Sequence, residues 1–173
     1  MSLGRSADQL LLPVNPFFIA LSLALALALN LLPLGRHAAA PDVLAVVLAF
    51  WSVHQPRRVG VGVAFLCGMA MDVHMGALLG QHALAYTVLG YAAVMMHRRL
   101  LWFGLAAQMV QVLPLFALAT GVALTVRLAV GGMFPGWGIF LAPVFDALLW
   151  PVAHALLLAP QRRPPDPDKT RPL

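Results

Sequence analysis

Charged residues are scarce in this sequence: only 10% of its residues are Asp, Glu, Lys or Arg, whereas 61% are hydrophobic. A soluble globular domain has about 45–50% apolar and about 25% charged residues, so this chain has more apolar surface than a water-soluble core could bury. The composition therefore excludes a soluble fold and predicts a membrane protein. At about 20 apolar residues per span, the length leaves room for roughly five or six transmembrane helices and for no second domain.

The sequence also lacks a pair of cysteines, because Cys67 is its single cysteine. An internal disulfide is therefore excluded, and the apolar surroundings of Cys67 predict that it packs as a small apolar residue.

The net charge of +5 would suggest nucleic-acid binding in a soluble protein, but here the basic residues stand in short clusters between apolar runs. Because they are not interleaved with aromatic residues, we expect no nucleic-acid partner.

Apolar runs separated by proline, glycine and arginine predict an all-α fold of about six transmembrane helices. The predicted spans cover approximately residues 16–34, 38–54, 59–80, 82–97, 100–130 and 139–158, with a kink or tilt at Pro114 in the fifth. The first run is too long for a secretory signal, so it predicts a retained anchor. The second and fourth are only just long enough to cross, which leaves a re-entrant hairpin as the alternative. We expect one transmembrane domain over residues 1–159 and a disordered, proline-rich cytoplasmic tail over residues 160–173.

The basic residues predict the orientation of these spans. With the N-terminus in the cytoplasm, nine of the eleven Lys and Arg residues fall on the cytoplasmic side, as the positive-inside rule requires. A five-span topology would place one of the clusters on the other side, so we expect six spans with both termini cytoplasmic. The residues expected to set this topology are Arg57, Arg58, Arg98, Arg99, Arg162 and Arg163.

The third predicted span carries small residues at regular spacing. Gly68, Asp72, Gly76 and Gly80 recur every fourth residue, which predicts one helix face that packs against another helix or binds a partner. A carboxylate at membrane depth is costly. We therefore expect Asp72 to bond a neighbouring backbone near the outer surface, and in that case to tolerate replacement by asparagine. The alternative is that Asp72 handles a proton or a ligand.

The sequence contains no convincing catalytic or metal-binding pattern. Asp72 and Asp146 suggest an aspartic protease pair as an alternative, but neither lies in the polar motifs, with asparagine and arginine, that lipoprotein signal peptidases carry. The six histidines lack metal-ligand spacing, and no phosphate loop or nucleophile elbow is present. We therefore expect no enzyme activity, cofactor or metal. Positions with a structural polar role are expected at Asp42, Asp146, Trp150 and Pro151.

Three stretches carry a family resemblance. The first is residues 41–44, which lead to Trp51 and the polar turn at residues 55–62. The second is the run from Gly68 to Gly80 with Asp72 inside it, and the third is residues 148–151. Together they resemble the MreD family of bacterial rod shape-determining proteins, and the similarity extends over residues 15–158.

The resemblance implies a non-enzymatic scaffold of the cell-elongation (rod-shape) machinery, or elongasome, in the bacterial cytoplasmic (inner) membrane, which helps to organise lateral peptidoglycan synthesis. It implies MreC as the direct partner, with MreB, RodA and the transpeptidase partner of RodA reached through it.

The resemblance also implies a fold similar to the substrate-binding subunits of energy-coupling-factor transporters. That similarity supplies the alternative function, a small-molecule-binding membrane subunit of a vitamin-type transporter. Toward the outer side, however, the sequence offers only Asp72, His74, Gln81 and His82, too few polar groups for a vitamin site. We therefore expect no small-molecule substrate.

Overall fold

The computed structural model describes residues 14–32, 39–76 and 79–161. The regular secondary structure of this part of the chain is entirely helical, which confirms the predicted all-α fold for these residues. Arg162, Arg163 and nearly all of the predicted tail lie outside the described residues. The six α-helices of the described part are α1 (Pro16–Leu31), α2 (Val43–His54), α3 (Val61–Met75), α4 (Gln81–Trp102), α5 (Leu105–Ala129) and α6 (Ala142–Leu158), and short 3₁₀ helices at Trp137–Leu141 and Ala159–Gln161 flank α6.

The first two helices begin where the sequence supplies an N-cap. The Asn15 side chain accepts a hydrogen bond from the Phe17 amide at 2.9 Å, and Pro16 occupies the first helical position, where its missing N–H costs nothing. Asp42 caps α2 by accepting from the Ala45 amide at 2.9 Å. Because of this cap, α2 begins at Val43 rather than near residue 38 as predicted.

α2 is the central helix of the bundle. Every residue from Leu44 to Val53 is buried, and the helix packs against α1, α4 and α6. Its 12 residues rise about 18 Å, less than the roughly 30 Å hydrocarbon thickness of a bilayer. Protein encloses this short helix from Leu44 to Val53, and its apolar composition on all sides matches that enclosure.

The remaining large contacts join helices that are consecutive in the chain: α3 packs against α4, α4 against α5, and α5 against α6. Among the described residues, two helical stretches are long and apolar enough to cross a membrane, Leu105–Ala129 and Trp137–Gln161, while α1, α2 and α3 are shorter apolar helices. Only 22% of the most apolar part of the Leu105–Ala129 helix is buried. Much of the exposed surface is consequently apolar, as contact with lipid allows.

The prediction that one helix face extends from Gly68 to Gly80 is wrong for Gly76 and Gly80. α3 ends at Met75, and Gly76 is its C-cap with a left-handed φ of 57°. Gly80, with φ of 109°, precedes α4 as its N-cap. Glycine is the usual residue where a helix ends in the left-handed conformation, so the four-residue spacing here marks a turn instead of a continued helix.

The boundary between the fourth and fifth helices also differs from the prediction. α4 does not stop at His97 but continues through Arg98 and Arg99 to Trp102, and α5 begins only at Leu105. Arginine has good helix propensity. Because the side chains of Arg98 and Arg99 are also exposed, neither residue ends the helix. Pro114 lies within α5, which continues beyond it to Ala129.

Candidate functional site

Asp72 joins α3 to the beginning of α4. Its side chain is buried, and its Oδ2 accepts hydrogen bonds from the Gly80 amide at 2.8 Å and the Ala83 amide at 3.2 Å, while its Oδ1 accepts from the His82 amide at 2.8 Å. The first amides of a helix have no acceptor within the helix, and Gly80 has no side chain that could cap them. Asp72 therefore caps α4 from the neighbouring helix, where its negative charge also faces the positive end of the helix dipole.

The His82 side chain completes this contact. Its Nδ1 lies 2.8 Å from Oδ1 of Asp72. Because a carboxylate only accepts, the ring donates through Nδ1. The two oxygens of Asp72 thus accept four bonds, all from α4 and the residue preceding it. In this geometry the carboxylate holds two helices together.

Gly68 lies one helical turn before Asp72, at the point where the backbones of α3 and α4 touch. A Cβ atom at Gly68 would overlap Cα of Ala83 and would lie 2.5 Å from the carbonyl oxygen of His82, closer than real Cβ atoms approach backbone. Gly76 and Gly80 have open space at the same position. The structure therefore brings Gly68 and Asp72 to one helix contact and places the other two glycines in the turn beside it.

A second polar cluster joins four helices at the same end of the bundle. Asp42 accepts from Asn30 Nδ2 at 2.6 Å through Oδ1 and from the Tyr86 hydroxyl at 2.6 Å through Oδ2. The Asp42 amide in turn donates to Oδ1 of Asp146 at 2.7 Å. These four residues, from α1, α4, α6 and the start of α2, are called the Asp42 cluster below. Tyr86 and Asp146 are almost fully buried, so the cluster fixes helix positions inside the protein.

The Asp42 cluster unites two predicted polar positions and adds two that the sequence analysis missed. Asp42 and Asp146 meet although 104 residues separate them. Asn30 could have been found, because a polar side chain in a helix of leucine and alanine is costly unless it has a partner. Tyr86 carries no such signal. The proposed protease pair is not supported, because Asp146 bonds Asp42 while Asp72 bonds α4.

Two buried tryptophans make further contacts between helices. Trp150 of α6 donates from Nε1 to Oε1 of Gln108 in α5 at 3.0 Å, and both side chains are buried. Trp51 of α2 donates from Nε1 to the Ser22 hydroxyl of α1 at 2.8 Å. Indole N–H groups need an acceptor when they are buried, so each pair fixes the register of two helices. Pro151, predicted beside Trp150, lies inside α6 and is half-buried.

Four of the five basic residues in the described part of the chain lie at the opposite end from these carboxylates, and the fifth, Arg127, lies at the end of α5. Arg57 and Arg58 are in the connection between α2 and α3, and Arg58 donates to the Val14 carbonyl. Arg98 and Arg99 are exposed near the end of α4. Consecutive helices joined by short connections run antiparallel, so the α2–α3 and α4–α5 connections share one end and the α3–α4 turn lies at the other.

No group of three or more His, Cys, Asp or Glu side chains is placed to hold a metal ion in residues 14–32, 39–76 and 79–161. The polar side chains described above bond one another across helix boundaries, and apolar side chains cover most of the outside. An all-helical bundle of this kind is a membrane protein whose buried polar groups hold its helices in register.

Comparison with known proteins identifies its family. The family model described as rod shape-determining protein MreD matches residues 11–159, and the chain belongs to this family. It is 28% identical over 151 residues to the rod shape-determining protein MreD of Haemophilus influenzae, an alignment that covers 85% of this chain and 89% of that protein. No solved structure matches the chain. The family predicted from the three sequence stretches is thus confirmed.

Proposed function

We propose that this protein is a non-enzymatic scaffold of the cell-elongation machinery in the bacterial inner membrane. The observation that carries the proposal is the MreD family match, which extends over residues 11–159. Membership of that family supports a role in rod-shape determination. The scaffold function adds that the protein acts by holding other membrane proteins, without turning over a substrate.

The hydrogen bonds inside the bundle support this proposal. Asp72 directs both carboxylate oxygens to donors on α4, and Asp42 directs its oxygens to donors on α1, α2 and α4. Carboxylates that are bonded in this way stabilise a helix arrangement. A bundle fixed in this manner presents constant helix surfaces to its partners.

The same observation weighs against the alternative function as a small-molecule-binding subunit. Asp72 and His82 are two of the four polar residues expected toward such a site, and they bond each other at 2.8 Å. Their polar atoms serve the α3–α4 contact. We therefore keep the scaffold as the function that the geometry supports best.

The proposed scaffold crosses the inner membrane six times, with both termini in the cytoplasm. In this orientation Arg57, Arg58, Arg98 and Arg99 face the cytoplasm, as the positive-inside rule favours, and the carboxylates of Asp72 and Asp42 lie toward the outer leaflet. MreC is the proposed direct partner, and MreB, RodA and the transpeptidase partner of RodA are reached through it. In lipid, helices associate through close packing, so the exposed apolar faces of α5 and α6 are suitable surfaces for such contacts.

A complementation experiment tests this function. Depletion of the protein in its own host should convert rods into rounded cells, and expression of the wild type should restore them. Gly68→Leu, which forces α3 and α4 apart, should fail to restore the rods, whereas Gly62→Leu, at a position with open space, should succeed. Depleted cells that keep a normal length and width would contradict the proposed function.

A further inference from the structure

The C-terminal half of α4 carries a stripe of exposed side chains. Along this stripe, Tyr and Met are followed by two arginines and a tryptophan. Its members are Tyr91, Met95, Arg98, Arg99 and Trp102, called the α4 stripe below. The other four members follow Tyr91 by four, seven, eight and eleven residues, which places all five on one helix face. All five are exposed, and Trp102 is 90% exposed, while the opposite face of α4 is buried in the bundle.

The positive charge of this stripe is not balanced by acidic side chains. In the part of the chain that the structure describes, the aspartates are Asp42, Asp72 and Asp146, and they bond donors at the other end of the bundle. Neither Arg98 nor Arg99 is paired with a carboxylate within those residues. The two adjacent guanidinium groups are therefore available to an anion from outside the described chain.

The length of the stripe matches one leaflet of a bilayer. The eleven residue steps from Tyr91 to Trp102 rise about 16.5 Å along the helix, close to half of the roughly 30 Å hydrocarbon core. Tyr91 and Met95 then lie at acyl-chain depth. The arginine side chains extend toward the headgroups, and Trp102 lies at the interface, where tryptophan is enriched.

The chemistry of each part fits a phospholipid. A guanidinium group presents paired N–H donors that match the oxygens of a phosphate group. The Met95 side chain and the ring of Tyr91 provide a surface for an acyl chain on the same helix face as the arginines. An anionic phospholipid combines both chemistries in one molecule, because its phosphate can bind the arginines while its acyl chains contact Met95 and Tyr91.

We propose that the α4 stripe binds an anionic phospholipid, with the headgroup phosphate on Arg98 and Arg99, an acyl chain along Met95 and Tyr91, and Trp102 beside the headgroup. The inference rests on the proposed function only for the orientation, which assigns the lipid to the cytoplasmic leaflet. It gives α4 a lipid-specific contact in addition to its helix contacts.

Quenching of tryptophan fluorescence by brominated lipids tests the proposal. The purified full-length protein is reconstituted in phosphatidylcholine bilayers that contain brominated phosphatidylglycerol or, at the same mole fraction, brominated phosphatidylcholine. A Trp137→Phe background leaves Trp102 as the exposed tryptophan, because Trp51 and Trp150 are fully buried. The brominated anionic lipid should quench severalfold more than the brominated neutral lipid, and Trp102→Phe should remove the difference.

Matched variants distinguish the contribution of Arg98 and Arg99 to lipid preference from a general effect of positive charge. Each basic residue near an anionic surface is expected to enrich anionic lipid about fivefold, so Arg98→Gln with Arg99→Gln should lower quenching to the neutral-lipid level. Arg127→Gln, at the other end of the bundle, should leave the preference unchanged. Retained helicity and gel-filtration elution show that the variants are folded.

Three outcomes would overturn the proposal: equal quenching of the parent protein by both lipids, an unchanged preference in the double arginine variant, or no quenching of Trp102 by either lipid. The last result would mean that protein, such as a second copy of this chain, covers the stripe. The readout requires neither MreC nor rod-shaped cells, so a negative result is distinct from a failure of the proposed function.

Discussion

Replacement of Asp72 by asparagine is a sharp test of how α3 and α4 are joined. The sequence alone predicts that asparagine is tolerated, because an amide keeps one acceptor and gains donors. In the structure, however, the groups around the carboxylate are all donors: the amides of Gly80, His82 and Ala83 and, in the observed arrangement, Nδ1 of His82. An NH₂ group on residue 72 must therefore face donors whichever way the amide is turned.

The size of the effect follows from the better of the two amide orientations. If the NH₂ group takes the place of Oδ1, the His82 ring can change its tautomer and accept, so only the His82 backbone amide loses its acceptor. A buried amide without an acceptor costs about 1–3 kcal/mol. Loss of the negative charge at the helix N-terminus adds about 0.3–1 kcal/mol. We expect Asp72→Asn to destabilise the protein by roughly 1.3–4 kcal/mol.

Thermal unfolding in mild detergent measures this effect. At about 2–4 °C per kcal/mol for a chain of this length, the Tm of Asp72→Asn should fall by roughly 3–16 °C. Asp72→Ala removes every acceptor and should lower the Tm further. His74→Gln, an exposed position on the same helix, is the matched control and should melt like the wild type. An Asp72→Asn protein with an unchanged Tm would refute the capping role.

Three further predictions follow from the same structure. Gly68→Ala should destabilise by about 1–3 kcal/mol because its Cβ would overlap the α4 backbone, whereas Gly62→Ala, with open space, should be neutral or stabilising in the same melting assay. Tyr86→Phe removes a donor to Asp42 and should cost about 1–3 kcal/mol, visible as a lower Tm; a wild-type Tm would contradict the role of the Asp42 cluster. Reporter fusions in the α2–α3 and α4–α5 connections should read cytoplasmic, and fusions in the α3–α4 and α5–α6 connections periplasmic; a periplasmic signal between α4 and α5 would exclude the six-span topology.

Local signals in the sequence were sufficient to predict much of the fold. Apolar runs and their Pro-, Gly- and Arg-containing breaks predicted the existence and order of the helices, because composition decides which segments can leave water. Boundaries were less accurate where two signals compete. At Gly76 the four-residue spacing favoured a continued helix face, but the preference of glycine for the left-handed cap ended α3 there.

The partners of the polar residues could not be predicted, because they depend on contacts between distant segments. Asp42 was recognised as a polar position, yet its bonds to Asn30 and Tyr86 arise only once four helices have packed. Gln108 and Trp150 are likewise 42 residues apart and share no local pattern. Sequence reasoning could therefore identify which groups need a partner, while the identity of each partner is a property of the packed bundle.

The central claim is that this protein acts by binding other membrane proteins of the elongation machinery. Its most direct test is affinity purification of the tagged, functional protein from its own host in mild detergent, with MreC quantified by mass spectrometry against an untagged strain. We expect strong enrichment of MreC relative to abundant unrelated inner-membrane proteins. A folded, rod-restoring protein that captures no more MreC than the untagged control would contradict the claim.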